Sequence, residues 1–212
     1  MTMQGWQLVT AAVAMGPALW VALGTARGHT SHWRWGALVS LVVLAAGAAL
    51  PWPGVIVWAW WSGCAGSLAV VDAVTLRLPN RIQVLLAAGL VPLAIGCAIA
   101  DGHPERIGVA ALGAVCLGAF YLVLFLLAPR SIGMGDLKLA LSLGWLGGFF
   151  SFSTVVSSLV YSNLAAVVVA VVILARGGSR KSAFAFGPLM IFGMTVAMLQ
   201  LAWAHPFAEM MS

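Results

Sequence analysis

Eight long apolar runs follow one another along this chain, and each is closed by a short polar or Pro- and Gly-rich break. An α-helix needs about 20 residues to cross the hydrocarbon core of a bilayer, so runs of this length predict transmembrane helices. The chain is therefore predicted to be all-α, a polytopic transmembrane helix bundle of about eight helices, with the sixth the shortest. The runs cover residues 6–24, 35–50, 54–71, 82–100, 107–128, 137–150, 154–175 and 187–204.

The content of charged residues supports a membrane location. Only 7% of the 212 residues are charged and 63% are hydrophobic, whereas soluble domains carry roughly a quarter of charged residues. No loop is large enough for a soluble domain, so residues 1–212 are predicted to form a single domain in contact with the lipid bilayer. The net charge of +5 is not taken as a sign of nucleic-acid binding, because Lys and Arg in membrane proteins mainly report orientation. The oligomeric state is left open.

The basic residues divide unequally between alternate breaks. If the runs cross the membrane in turn, nine of the ten basic residues fall on one side, and the positive-inside rule makes that side cytoplasmic. Both termini are then predicted to face outward. The nine are Arg27, Arg34, Arg77, Arg81, Arg130, Lys138, Arg176, Arg180 and Lys181, and the tenth is Arg106.

Two of the five acidic residues, Asp72 and Asp136, fall on the cytoplasmic side, each at the end of an apolar run. An ionisable group within a bilayer costs about 2.5–3.5 kcal/mol at a helix centre, so its presence suggests a function. Gly133 and Gly135 precede Asp136 and would let another backbone approach its carboxylate closely. Alternatively, Asp136 caps the helix that it opens, since Asp near a helix N-terminus satisfies free N–H groups.

Two carboxylates at one depth of a bundle are what an aspartyl protease requires. One ionised carboxylate takes a proton from water as it attacks the scissile carbonyl, and the protonated partner donates to the carbonyl oxygen. Crowded in a poorly solvated place, the two groups cannot both ionise cheaply, so the pair supplies the acid and the base together. This interpretation requires the third and sixth predicted helices to pack against each other. No cysteine or histidine lies at ligand spacing, so no metal and no cofactor are expected.

A family resemblance rests on three motifs in a fixed order. They are Asp72 with Thr75, Arg77 and Leu78-Pro79-Asn80; Gly133-Met134-Gly135-Asp136-Leu137-Lys138-Leu139; and Phe186-Gly187-Pro188 with Gly193. Over residues 54–193 the chain resembles the type IV prepilin peptidases, which are membrane-embedded aspartyl proteases with a Gly-x-Gly-Asp motif. Gly-x-Gly-Asp alone would be a weak match, but the three motifs together are specific.

The resemblance implies that Asp72 and Asp136 are the catalytic pair. It implies supporting roles for Gly133, Gly135, Lys138, Pro79, Asn80, Gly187 and Pro188. Members of the family remove the basic leader peptide from prepilin or pseudopilin precursors at the cytoplasmic face of a bacterial-type inner (plasma) membrane. Larger members also carry a cysteine-rich loop associated with methyltransferase activity. The matching loop here, Thr25 to Arg34, has no cysteine, so peptidase activity alone is expected.

Other interpretations remain open at this stage. Lys138 could mark the membrane interface, Asn80 could start a helix after a turn, and Gly187 with Pro188 could be an ordinary helix start. The two aspartates could instead form a proton or cation relay in a small transporter. The chain could also be an inactive homologue that acts in assembly. The presenilin and signal-peptide-peptidase group shares Gly-x-Gly-Asp, but its last motif is Pro-Ala-Leu instead of the Phe-Gly-Pro found here.

Overall fold

The computed structural model describes residues 33–46, 50, 53–127, 132–177 and 184–211, and for residues 33–36, 46 and 203–211 the course of the backbone only. The first predicted span, residues 6–24, lies outside the described residues. So do most of the following loop and the basic residues Arg27, Arg130, Arg180 and Lys181.

The described chain contains seven helices and no strand. The helices are α1 (Trp33–Ala46), α2 (Gly54–Thr75), α3 (Asn80–Ala100), α4 (Glu105–Leu127), α5 (Met134–Phe150), α6 (Phe152–Ala175) and α7 (Gly187–Met211). They coincide with the last seven predicted runs, so the all-α prediction is confirmed for this part of the chain.

Four helices, α2, α3, α4 and α6, are long and apolar enough to cross a membrane. In α7 the apolar stretch Gly187–Ala202 is shorter, and α5 has 17 residues, fewer than the roughly 20 that a perpendicular crossing needs. These helices indicate a membrane protein. The predicted number of about eight spans is not confirmed.

The helix at the centre of the bundle is α2. Of its apolar stretch 78% is buried inside the protein, compared with 11% for α6. Trp58 and Trp61 are fully buried, with ring centroids 4.7 Å apart. The indole N–H of Trp58 donates to the carbonyl of Val43 in α1 at 2.9 Å, and that of Trp60 donates to Leu86 in α3 at 3.2 Å. Because a buried N–H without a partner is costly, these bonds help to hold α2 between α1 and α3.

The backbones of α4 and α5 are in direct contact. A Cβ atom on Gly144 would overlap the carbonyl oxygen of Gly113, and one on Gly148 would overlap that of Val109. Small residues let helices approach this closely, which gains van der Waals contact where both neighbours are otherwise apolar. The short helix α5, which carries Asp136 in its first turn, is thereby packed firmly along α4.

The turn between α3 and α4 lies at the end of the bundle away from Asp72. Arg106 donates to Asp101 at 2.7 Å, and Nδ1 of His103 lies 2.8 Å from Glu105 Oε1. The acidic residues Asp101 and Glu105 thus belong to solvent-accessible local pairs. The sequence likewise predicts that Asp101 and Glu105 lie on the side of the membrane opposite Asp72 and Asp136.

Candidate active site

Asp72 and Asp136 line the same cleft, which has a volume of about 570 Å³. Asp72 lies in the last turn of α2, and Asp136 lies in the first turn of α5. The third and sixth predicted helices, α2 and α5, therefore meet at the cleft, as the two-carboxylate interpretation requires. The cleft is lined by Asp72, Leu76, Arg77, Leu78, Asn80, Gly133, Met134, Gly135, Asp136 and Lys138. Of the predicted supporting residues, Pro79, Gly187 and Pro188 are not part of this lining.

Asp72 is held by the start of α7. Its side chain is only 4% exposed, and its Oδ2 accepts a hydrogen bond from the backbone N–H of Gly187 at 3.0 Å. The N-terminus of a helix carries partial positive charge and free N–H groups, so it favours a carboxylate. A Cβ on Gly187 would lie 2.8 Å from Oδ2 of Asp72. Gly187 is thus both a helix start and a direct partner of Asp72, and only glycine fits there without a shift.

Pro188 follows as the second residue of α7. The first N–H groups of a helix have no partner within it, so proline loses no intrahelical hydrogen bond at this position. Its position agrees with the interpretation of Pro188 as part of an ordinary helix start.

Asp136 caps its own helix. Its Oδ2 accepts a hydrogen bond from the backbone N–H of Gly133, the residue before α5, at 2.9 Å. The capping interpretation is correct, yet the side chain also lines the cleft and is 8% exposed. Within the described residues, Oδ1 of Asp136 and Oδ1 of Asp72 accept no hydrogen bond. Among the described residues, each carboxylate is therefore oriented through one oxygen.

Leu78 fills the space between the two glycines that adjoin the aspartates. A Cβ on Gly135 would lie 2.8 Å from Cβ of Leu78, and a Cβ on Gly187 would lie 3.3 Å from its Cδ2. The loop from α2 to α3 therefore packs, through Leu78, against the first residues of both α5 and α7. Asp72 and Asp136 therefore reach the same cleft from the ends of two different helices. Crowding of two carboxyl groups in a poorly solvated place is the condition under which a pair of acids shares a proton.

Gln83 is a residue of the site that the sequence analysis missed. It is 5% exposed, and its Nε2 donates to the carbonyl of Gly135 at 3.0 Å. A carbonyl can only accept, so the amide nitrogen must be the atom that faces Gly135. The Oε1 atom is buried and has no partner among the described residues. The available sign was that Gln83 is the one amide within the predicted apolar run 82–100.

Lys138 and Asn80 meet at the rim of the cleft. The ammonium of Lys138 donates to Oδ1 of Asn80 at 2.7 Å, and both residues are exposed. This bond connects the first turn of α3 to α5. Lys138 thus has a specific partner besides its expected position near the interface, and Asn80 both begins α3 and lies in the cleft.

No cluster of three or more His, Cys, Asp or Glu side chains that could hold a metal ion occurs in the part of the chain that the structure describes. No family model, no curated protein and no solved structure matches the chain. Any assignment of function must therefore be argued from the site and from the motifs.

Proposed function

We propose that this chain is a membrane-embedded aspartyl endopeptidase with Asp72 and Asp136 as its catalytic pair. The observation that carries the proposal is that both side chains line one cleft although they belong to different helices. Each carboxylate is fixed by a single backbone N–H, at 3.0 Å for Asp72 and 2.9 Å for Asp136. The second oxygen of each group accepts no hydrogen bond from the described residues, and we assign it to act on water or on a substrate.

The reaction uses one proton shared by the pair. The ionised carboxylate removes a proton from water while the water oxygen attacks the scissile carbonyl carbon. The protonated carboxylate donates to the carbonyl oxygen, which gives a neutral tetrahedral intermediate. The intermediate then collapses: its C–N bond breaks, the leaving nitrogen takes a proton from one carboxyl group, and a hydroxyl proton returns to the other. The backbone N–H donors of Gly133 and Gly187 keep both carboxylates in place throughout.

The proposed substrate is a prepilin or pseudopilin precursor, whose basic leader is removed at the cytoplasmic face of a bacterial-type inner membrane. This part of the proposal rests on the three motifs resembling the prepilin peptidases. It is supported by the distribution of charge, because exposed Arg77, Arg81 and Lys138 lie at the cleft end of the bundle. At the other end, Arg106 is paired with Asp101. The positive-inside rule then makes the cleft end cytoplasmic.

The test is cleavage of a co-expressed prepilin-like substrate in membranes by the wild type, Asp72→Asn and Asp136→Asn, followed as a mobility shift. Asn keeps the size of the side chain and removes the ionisable group. We expect each variant to lose about 10²–10⁴-fold in rate, the usual contribution of a general acid or base. Asp101→Asn is the matched control, because it is the same change at the opposite end of the bundle and should leave cleavage unchanged.

If Asp72→Asn or Asp136→Asn cuts at the wild-type rate while the protein inserts normally, the two-carboxylate mechanism is wrong. The same holds if the wild type cuts no prepilin-like substrate. A proton relay or an assembly role would then be preferred. A relay needs a path of polar groups across the membrane, yet the buried hydroxyls of Ser62 and Ser162 donate to carbonyls of their own helices at 2.8 and 2.7 Å.

A further inference from the structure

Leu76 has an unusual backbone conformation beside Asp72. It follows the last residue of α2 with φ 53° and ψ 33°, in the left-handed region. It is the only non-glycine residue with positive φ in the described chain, where Gly102 and Gly177 occupy the other such positions. A Cβ atom makes this conformation unfavourable, and a strained residue that persists near a site is a reason to look for a function.

The turn at Leu76 is held firmly by hydrogen bonds. The N–H of Leu76 donates to the carbonyl of Asp72 at 2.8 Å. The hydroxyl of Thr75 has one proton to donate, and the carbonyl oxygens of Val71 and Arg77 lie 2.7 and 3.2 Å from it. Helices commonly end in such a left-handed residue, and glycine is usual there because it has no Cβ. The fold therefore needs the conformation at residue 76 but does not need a leucine side chain.

Leu76 is one of the residues that line the cleft. It is 52% exposed and lines the cleft with Met134, which is 57% exposed. Leu76 comes four residues after Asp72, and Met134 comes two residues before Asp136. Each aspartate of the pair thus has an exposed apolar side chain within four residues of it along the chain. Two such groups beside the proposed reacting atoms are suited to contact an apolar side chain of a bound peptide.

We infer that Leu76 is a specificity-determining residue, which together with Met134 contacts an apolar substrate side chain adjacent to the bond that is cleaved. The inference rests on the proposed peptidase function and assigns the selectivity of that site to these two side chains. It explains why the left-handed position carries leucine: the strain is retained because the side chain gains contact when the substrate is bound.

The test uses Leu76→Gly and Leu76→Asn. Glycine removes the side chain and relieves the backbone, whereas asparagine tolerates the left-handed region and replaces an apolar group by a polar one of similar size. Cleavage is measured with two prepilin-like substrates, one with a large apolar residue next to the scissile bond and one with alanine there. Leu126→Ala, a change of an exposed leucine of α4 outside the cleft, is the control.

We expect both Leu76 variants to lose about tenfold or more in kcat/KM for the large apolar substrate, mainly through KM. Their kcat/KM for the alanine substrate should fall much less, so that the ratio of the two values drops, and the unfolding midpoint of Leu76→Gly should not fall. A general loss of structure would lower both rates, so the change in their ratio reports a contact with substrate.

The inference is overturned if both variants keep the wild-type ratio of the two substrates while the wild type cuts them and Asp72→Asn does not. In that outcome the peptidase function survives and only the role of Leu76 is lost. If the wild type cuts neither substrate, the peptidase function and the role of Leu76 fall together.

Discussion

Replacing Gly187 by alanine is the sharpest test of how Asp72 is held. A Cβ at this position would lie 2.8 Å from Oδ2 of Asp72 and 3.3 Å from its Cγ. Atoms in ordinary contact are about 3.5 Å or more apart, so the carboxylate or the start of α7 must move by roughly 0.7 Å. That movement weakens or breaks the 3.0 Å hydrogen bond from the Gly187 N–H.

The expected size of the effect follows from this bond. A hydrogen bond to a charged group contributes about 1.5–3 kcal/mol. If this stabilisation is lost where the carboxylate acts, the cleavage rate falls roughly 10- to 150-fold, at about 1.4 kcal/mol for each factor of ten. Overpacking should also lower the free energy of unfolding, by about 1–3 kcal/mol.

The assay compares initial cleavage rates of Gly187→Ala and Gly108→Ala in membranes, with thermal unfolding of both proteins in detergent. Gly108 is an exposed glycine of α4, and a Cβ there would meet no atom within 4 Å. The control therefore makes the same chemical change without a contact. A rate for Gly187→Ala within twofold of the wild type would refute the view that the N–H of Gly187 positions the carboxylate.

Two further substitutions test the packing that supports the site. Gly144→Ala should lower the free energy of unfolding by about 1–3 kcal/mol through overpacking, because its Cβ would overlap the backbone of Gly113. If its unfolding curve equals that of Gly108→Ala, direct contact of α4 and α5 is contradicted. Gln83→Leu should cost about 1–3 kcal/mol and slow cleavage, because the Gly135 carbonyl loses its side-chain donor. Unfolding curves and cleavage rates of Gln83→Leu equal to those of the wild type would show that the Gly135 bond is unimportant.

The sequence predicted the helices well because the information for them is local. In lipid the backbone must satisfy its hydrogen bonds within each helix, so length and hydropathy are nearly sufficient to locate one. The predicted run 82–100 differs from α3 only by Asn80 and Arg81, which are polar residues of its first turn. The number of spans was harder to predict from the sequence. Helix α5 has only 17 residues, and its position depends on contact with α4 as well as on its own hydrophobic length.

The two candidate aspartates could also be identified from the sequence, because they are the acidic residues on the side of the membrane predicted to hold most of the basic residues. The sequence did not distinguish a cap from a cleft residue at Asp136, and the structure shows that the side chain does both. Gln83 was missed because its partner, the carbonyl of Gly135, is 52 residues away along the chain.

What the sequence determined by itself is the positions of the seven described apolar helices and the choice of Asp72 and Asp136 as candidates, because each depends on residue type and local spacing. Only the tertiary structure decided that Asp72 and Asp136 share one cleft, that the N–H of Gly187 binds Asp72, and that Leu76 occupies a left-handed turn beside it. These features depend on which faces of α2, α5 and α7 meet. Uniformly apolar helices carry little record of that choice, because side chains that face lipid and side chains that face the protein are equally hydrophobic.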